Sequence, residues 1–147
     1  MSWSEYVEKK IINYTTEEGH TYSNACSEGA IVGLDGTVWA VSSGLKLESA
    51  EITAINNYFK TKGQAASALT INKKKYLVTC FNADSNSVYL KCNGGGACIA
   101  MTTKAFILGT YDVSKKMSQD GTEKTQNVGY CNSAVENLQQ QLLSSGY

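Results

Sequence analysis

The sequence predicts an α+β domain in which a central antiparallel β-sheet carries helices on both faces. Three observations lead there. Both ends of the chain carry helical capping signals. A central stretch of short apolar runs is joined by turn residues too close together for parallel crossovers. One isolated segment, Leu47 to Phe59, changes to helical period, and helices kept apart from a run of hairpins define the α+β class.

The elements follow in order. Ser2 with Glu5 three residues on is a capping box, so a helix starts almost at once, with Trp3, Val7 and Ile11 on one stripe and Tyr6 and Tyr14 beside it. Residues 15–28 are small and polar and read as a loop. Ala30–Leu34 and Thr37–Val41 flank Asp35-Gly36, a strong two-residue hairpin signal. Both runs are almost continuously apolar, which predicts strands buried on both faces. The helix from Leu47 has Ile52, Ile55 and Phe59 on one face and Ser49 as its expected cap, and a Lys- and Gly-containing linker follows. Thr70-Ile71 and Tyr76–Phe81 are strands around Asn72-Lys73-Lys74. Ser87–Cys92 follows an Asp84-Ser85-Asn86 turn. Gly94-Gly95-Gly96 turns the chain into Ala97–Thr102, and Thr103-Lys104 leads to Ala105–Tyr111, the most apolar strand. Asp112–Cys131 reads as a long, irregular surface segment. Ser133 and Glu136 repeat the capping-box pattern before Val135, Leu138 and Leu142, and Gly146 suits a helical stop. Seven strands and one domain over 1–147 result, with longer loops at about 13–28 and 112–132.

Composition narrows the function. Thirteen lysines balance thirteen acids and arginine is absent. No basic field or bidentate guanidinium therefore favours nucleic acid. The five cysteines lack metal-ligand spacing, and with no leader or long apolar run the chain reads as cytosolic with reduced thiols. The single histidine, His20, sits in a polar segment and reads as solvated. Gly94–Gly96 lacks the Lys-Ser/Thr and helix N-terminus of a phosphate loop. The chain therefore reads as a binding protein and not an enzyme, with no cofactor or metal. Trp3, Tyr6 and Tyr147 either complete a core or stand ready for a partner.

Four motifs carry a resemblance. Met-Ser-Trp-x-x-Tyr-Val opens the chain at Met1–Val7. Gly-Leu-Asp-Gly-x-x-Trp-Ala spans Gly33–Ala40, Phe-Ile-Leu-Gly-x-Tyr spans Phe106–Tyr111, and Val-Glu-x-Leu-x-x-x-Leu-x-x-x-Gly-aromatic spans Val135–Tyr147. In this order and over the whole length they resemble the profilin family. The resemblance implies the terminal helices side by side on one face of a seven-stranded sheet. It implies a cytoplasmic, cytoskeletal protein, monomeric, that binds monomeric actin, regulates its polymerisation, and takes proline-rich proteins such as formin-type nucleators. The polyproline site would comprise Trp3, Tyr6, Trp39, Gln141, Leu142 and Tyr147, with Trp39 as its floor. The actin face would comprise Lys75, Val78, Lys91, Asn132 and Asn137, with the 112–132 segment beside it. The chain departs from the family pattern in its two longer segments, in Gln141 where an aromatic ring or His is usual, and in lost basic positions. The last departure makes phosphoinositide binding weak or absent. A profilin-like scaffold or trafficking module that does not bind actin is the alternative reading.

Overall fold

The computed structural model describes residues 2–147; Met1, the first residue of the N-terminal motif, lies outside them. Helix α1, Trp3–Tyr6, runs directly into a π-helical segment, Val7–Ile12. Strands β1 (Tyr14–Thr15), β2 (Thr21–Ser23), β3 (Glu28–Gly33) and β4 (Val38–Val41) precede α2 (Ser49–Lys60). Then come β5 (Ala68–Ile71), β6 (Lys74–Asn82), β7 (Ser87–Cys92), β8 (Gly95–Met101) and β9 (Ala105–Asp112). A hairpin of β10 (Lys116–Gln119) and β11 (Thr122–Thr125) leads to α3 (Val128–Ser144).

Seven strands form the antiparallel main sheet in the order β4-β3-β9-β8-β7-β6-β5. Its period-2 alternation builds two cores. Ile31, Cys98, Ala100, Ala105 and Ile107 meet Val7, Ile11 and the α3 residues Cys131, Ala134, Val135 and Leu138. Ala30, Val32, Ala97, Ile99, Phe106 and Leu108 meet Ile52, Ile55, Tyr58 and Phe59 of α2. The α+β class, the seven strands and the placement of helices on both faces are as the sequence predicts.

The first hairpin departs from expectation in one strand. β3 is buried along its length, but β4 is an edge strand with Val38 and Val41 exposed. Apolar residues on β4 therefore mark a surface, which continuous hydrophobicity could not distinguish from a core. The β5–β6 turn is stiffer than expected. Asn72 and Lys73 both hold positive φ, as a two-residue hairpin turn with the right twist requires. Their amides donate to the buried Glu51 carboxylate at 3.1 and 2.8 Å, which ties the turn to α2. Glu51 also accepts from the Glu48 amide, so Glu48, not Ser49, caps the helix.

Two corrections are larger. Residues 15–28 and 112–131 are not irregular: they fold onto each other as a second, four-stranded sheet, β1-β2-β10-β11. Ser23 pairs with Ser118 and Tyr22 with Gln119. Tyr14 and Tyr22 stack at 4.7 Å, Tyr130 leans on Tyr22 at 5.3 Å, and Met117 is 2% exposed. Each polar segment thus supplies backbone partners and an apolar underside to the other. Helix α3 also begins earlier than expected. Asn127 caps it by accepting from the Tyr130 amide, which leaves Ser133 and Glu136 inside the helix.

His20 is exposed but not free. Its Nδ1 lies 2.7 Å from Asp120 Oδ2, and Asp120 Oδ1 accepts from the Thr21 amide at 2.8 Å. This clasp joins the turns of the two segments. The Asp120 carboxylate raises the His20 pKa, and the Thr21 amide and His20 lower that of Asp120. The raised His20 value gives stabilisation that is full below the unfolded pKa and fades as pH rises through the folded one. The lowered Asp120 value gives stabilisation that disappears as pH falls through its own folded pKa. The clasp therefore holds between those two values. An NMR titration of the single imidazole will show a midpoint above the ordinary ~6.5, and Asp120→Asn will bring it back down.

Candidate functional site

The motif residues at the two ends meet over β4. Ser2 Oγ accepts from the Glu5 amide at 3.2 Å and Glu5 Oε1 accepts from the Ser2 amide at 3.4 Å, the capping box the sequence predicts. The Ser2 amide and hydroxyl, with Lys9, hold the Glu5 carboxyl below its usual range. The box orients the first turn so that Trp3 and Tyr6 lie beside each other, ring centres 5.4 Å apart.

Trp39 arrives from the Asp35-Gly36 turn. Asp35 Oδ1 accepts from the Thr37 amide at 2.9 Å, and Gly36 takes φ +92°. The missing side chain at Gly33 makes the room: a Cβ there would stand 2.7 Å from Trp39 Nε1. At the other end, Gly146 at φ +90° reverses α3. The Gly146 amide bonds to the Leu143 carbonyl at 3.2 Å and the Tyr147 amide to the Leu142 carbonyl at 2.8 Å. This is a Schellman stop. The Lys104 amide donates to the Tyr147 carbonyl at 2.7 Å, and Lys104 Nζ lies 5.5 Å from the ring centre.

The outcome is a contiguous aromatic patch. Trp3 lies 4.7 Å from Trp39 and 5.1 Å, edge-on, from Tyr147, and Trp39 lies 6.2 Å from Tyr147. Trp3, Tyr6 and Trp39 are half-buried and Tyr147 is 37% exposed. Flat faces, an indole N–H and phenol O–H groups are thus presented together at one surface. The rings thus form a half-buried surface patch that rests on the core. Gln141 is exposed near Tyr6 along the α3 edge. Leu142 does not join the surface: it is 2% exposed and packs beneath, because it falls on the α3 stripe that faces the sheet. From Tyr6 and Gln141 a groove of about 810 Å³ runs on between the π-helical segment and α3. Lys104 and the groove residues Lys10 and Tyr14 are not among the residues the sequence assigns to the site, although Tyr6, Lys10 and Tyr14 share a four-residue spacing.

The second expected face comes together only in part. Lys75 and Lys91 are exposed on the α3 side of the sheet, where Lys91 pairs with Leu77. Val78 points the other way, into the α2 core, and Leu77, 56% exposed, takes its place. Helix α3 borders this face through Glu136, which accepts from the Tyr89 hydroxyl at 2.6 Å, and Gln139, which donates to the Ser85 and Met101 carbonyls. Asn132 lies on that flank of the helix by its 100° step, half-buried. Asn137 lies on the opposite flank, lining a cleft with Tyr14 and Tyr22. The β10–β11 hairpin is on that opposite flank too, through β2 and Tyr130, and not beside Lys91.

These features define a class: a single α+β domain, a seven-stranded antiparallel sheet clad by helices on both faces, with its aromatic patch where the first and last helices cross an edge strand. The profilin family model matches residues 1–147. Profilin of Tetrahymena pyriformis is 32% identical over an alignment 168 positions long that takes in 99% of this chain and 98% of that one. The Acanthamoeba castellanii profilin IB structure superposes with a TM-score of 0.76 at 25% identity, covering 99% and 100% of the two chains. The chain belongs to the profilin family. Two structures share the fold at lower identity and were solved as complexes. Mouse profilin IIa holds a double repeat from the FH1 domain of mDia1 (19% identity, TM-score 0.62, 100% of both chains). LokiProfilin2 is bound to rabbit actin (14%, TM-score 0.63, 82% and 86%).

Proposed function

We propose that this protein binds monomeric actin, regulates its polymerisation, and takes polyproline II segments, such as those of formin-type nucleators, on its aromatic patch. The observation that carries this reading is the patch itself. A polyproline II helix is stiff and loses little entropy on docking. It offers flat rings and bare carbonyls, which match the faces and N–H and O–H donors of Trp3, Trp39, Tyr6 and Tyr147. The complexes of mouse profilin IIa and LokiProfilin2 support the two partner classes. The protein works as a monomer in the cytoplasm, on the cytoskeleton; no helix among the described residues is long and apolar enough to cross a membrane. Phosphoinositide binding is weak, because stable capture takes a cluster of free cations. In the Lys73-Lys74-Lys75 run, Lys73 pairs with Glu48 at 3.6 Å and Lys74 lies 5.9 Å from the Tyr76 ring centre.

The actin surface centres on Lys75, Leu77 and Lys91, with Asn132 at its edge. Charge reversal, Lys91→Glu, will slow association with an acidic partner surface by about tenfold at low salt, and the loss will shrink as salt is raised. Titration of a fluorescently labelled actin monomer, with the same sample tested on oligoproline, checks the whole reading. Binding to both supports it. Binding to oligoproline alone leaves the scaffold reading in place.

A further inference from the structure

The groove beside the aromatic patch is larger than the patch requires. It starts at Tyr6 and Gln141, passes Lys10 one turn further along the π-helical segment, and ends against the β1 turn at Glu17 and Glu18. Its far wall is built by the segment before β2, which the second sheet holds in place and the His20–Asp120 clasp pins at its tip. Asn137 and Tyr14 mark this far end, where a smaller cleft opens on the other side. The groove's floor is apolar, with Leu138 and Leu142, and its walls bear amide, hydroxyl and charged groups beside the Tyr6 and Tyr14 rings.

Charge is arranged along the groove. Lys10 stands one turn beyond Tyr6, and two carboxylates, Glu17 and Glu18, stand at the β1 end. Glu17 and Glu18 are both exposed, and among the described residues neither forms an ion pair. His20, the cation nearest them in sequence, is held by Asp120. A cation one turn beyond Tyr6 would meet the Lys10 ammonium, whereas one at the β1 end would meet the Glu17 carboxylate and that of Glu18, which also acts on His20. Distance sets the spacing. From Ser144 to Asn137 the α3 wall runs ~10 Å at about 1.5 Å per residue. An extended polyproline II chain at ~3.1 Å per residue covers that in about three residues.

We propose that this groove extends the polyproline site and selects proline-rich ligands that carry a basic side chain about three residues beyond the prolines, received by Glu17 and Glu18. The inference rests on the polyproline reading of the aromatic patch. It follows that the segment between β1 and β2 sets which proline-rich partners are preferred, not whether prolines bind.

The test uses the full chain and four labelled peptides: a ten-proline peptide, the same peptide with a three-residue Gly/Ser spacer and two lysines after it, its reverse with the lysines and spacer before it, and the first flanked form with glutamates for lysines. Fluorescence anisotropy at low and at physiological salt gives the affinities. One of the two lysine-flanked peptides will bind about five- to twentyfold tighter than plain oligoproline at low salt, with a smaller advantage at higher salt, and the glutamate form will bind no tighter than the plain one. In a folded Glu17→Lys/Glu18→Lys variant the ratio of lysine-flanked to plain affinity will fall to about one. Equal binding of plain and both lysine-flanked peptides, or an advantage that survives in the variant, overturns the extended groove while leaving the aromatic site standing. Failure of plain oligoproline to bind overturns the polyproline reading itself, and the extension with it.

Discussion

Replacing Trp3 by Ala will weaken oligoproline binding by about 2 kcal/mol or more, the usual cost of truncating a buried aromatic anchor, which is about thirtyfold in Kd. Trp3 is the hub of the patch: it is the one ring that meets Tyr6, Trp39 and Tyr147 together, at 5.4, 4.7 and 5.1 Å. Its removal takes away one stacking face and also the support that holds the other three in place. The loss is confined to one function. Trp3 sits beside the edge strand β4, while Lys75, Leu77 and Lys91 sit on β6 and β7, toward the other edge of the sheet. Actin affinity should stay within about twofold, since truncations remote from a contact surface change little. Oligoproline affinity measured by anisotropy on a variant of unchanged far-ultraviolet circular dichroism decides the matter. Parent-like binding would mean the prolines dock elsewhere.

The second large effect concerns stability. Gln126 is 2% exposed and ties three segments together. Its Nε2 donates to the Asn24 carbonyl at 2.8 Å, and its Oε1 accepts from Ser27 Oγ at 2.6 Å and the Asp112 amide at 3.0 Å. Its own amide donates to the Lys115 carbonyl at 3.0 Å. The residue therefore joins the two polar segments to each other and to the end of β9. Gln126→Leu keeps the bulk but strands these partners, and each buried polar group left unpaired costs about 1–3 kcal/mol. With partial access to water at the rim, a total of about 3 kcal/mol is expected, or a fall of roughly 6–12 °C in Tm for a domain of this size. Gln126→Glu retains both acceptor contacts but turns a buried carboxylate oxygen onto the Asn24 carbonyl, and should lose at least as much. Calorimetry on the pair of variants reads the difference; equal melting of Gln126→Leu and parent would mean that the second sheet does not depend on this tie.

The main sheet was legible because its strands are short apolar runs separated by turn chemistry that only hairpins use: Asp35-Gly36, Asn72-Lys73 and Asp84–Asn86. The aromatic patch was legible because its determinants are local. Ser2 and Glu5 set the first helix, Gly146 ends the last, and Asp35-Gly36 places Trp39. The second sheet was hidden for the opposite reason. Residues 122–125 are exposed on every side chain, so β11 has no alternation to read. The pairing that makes it a sheet joins Ser23 to Ser118, far apart in sequence. The false start assigned to α3 has a similar cause. Ser133 and Glu136 have capping-box spacing, but Asn127 wins because its side chain reaches the Tyr130 amide while Cys131, Ala134 and Val135 are already buried against the sheet. Val78 was misplaced although alternation alone separates it from Lys75: the two are three residues apart on β6, before the bulge between Val78 and Cys80, and so face opposite sides of the sheet. Asn132 and Asn137 look alike in sequence but fall on opposite flanks of one helix. Both placements follow from the period of the element, 2 in a strand and 3.6 in a helix, and are read only once the element's bounds and its buried face are known.

The most direct measurement uses the protein's own fluorescence. Its sequence has two tryptophans, Trp3 and Trp39, and both lie in the aromatic patch, 4.7 Å apart. Tryptophan emission therefore reports on the proposed polyproline site alone. Titration with a ten-residue oligoproline should change the emission intensity along a saturable, single-site curve, and a Gly/Ser peptide of equal length should leave it flat. Binding of oligoproline by calorimetry with no change in tryptophan emission, or no binding at all, would contradict the assignment of this patch.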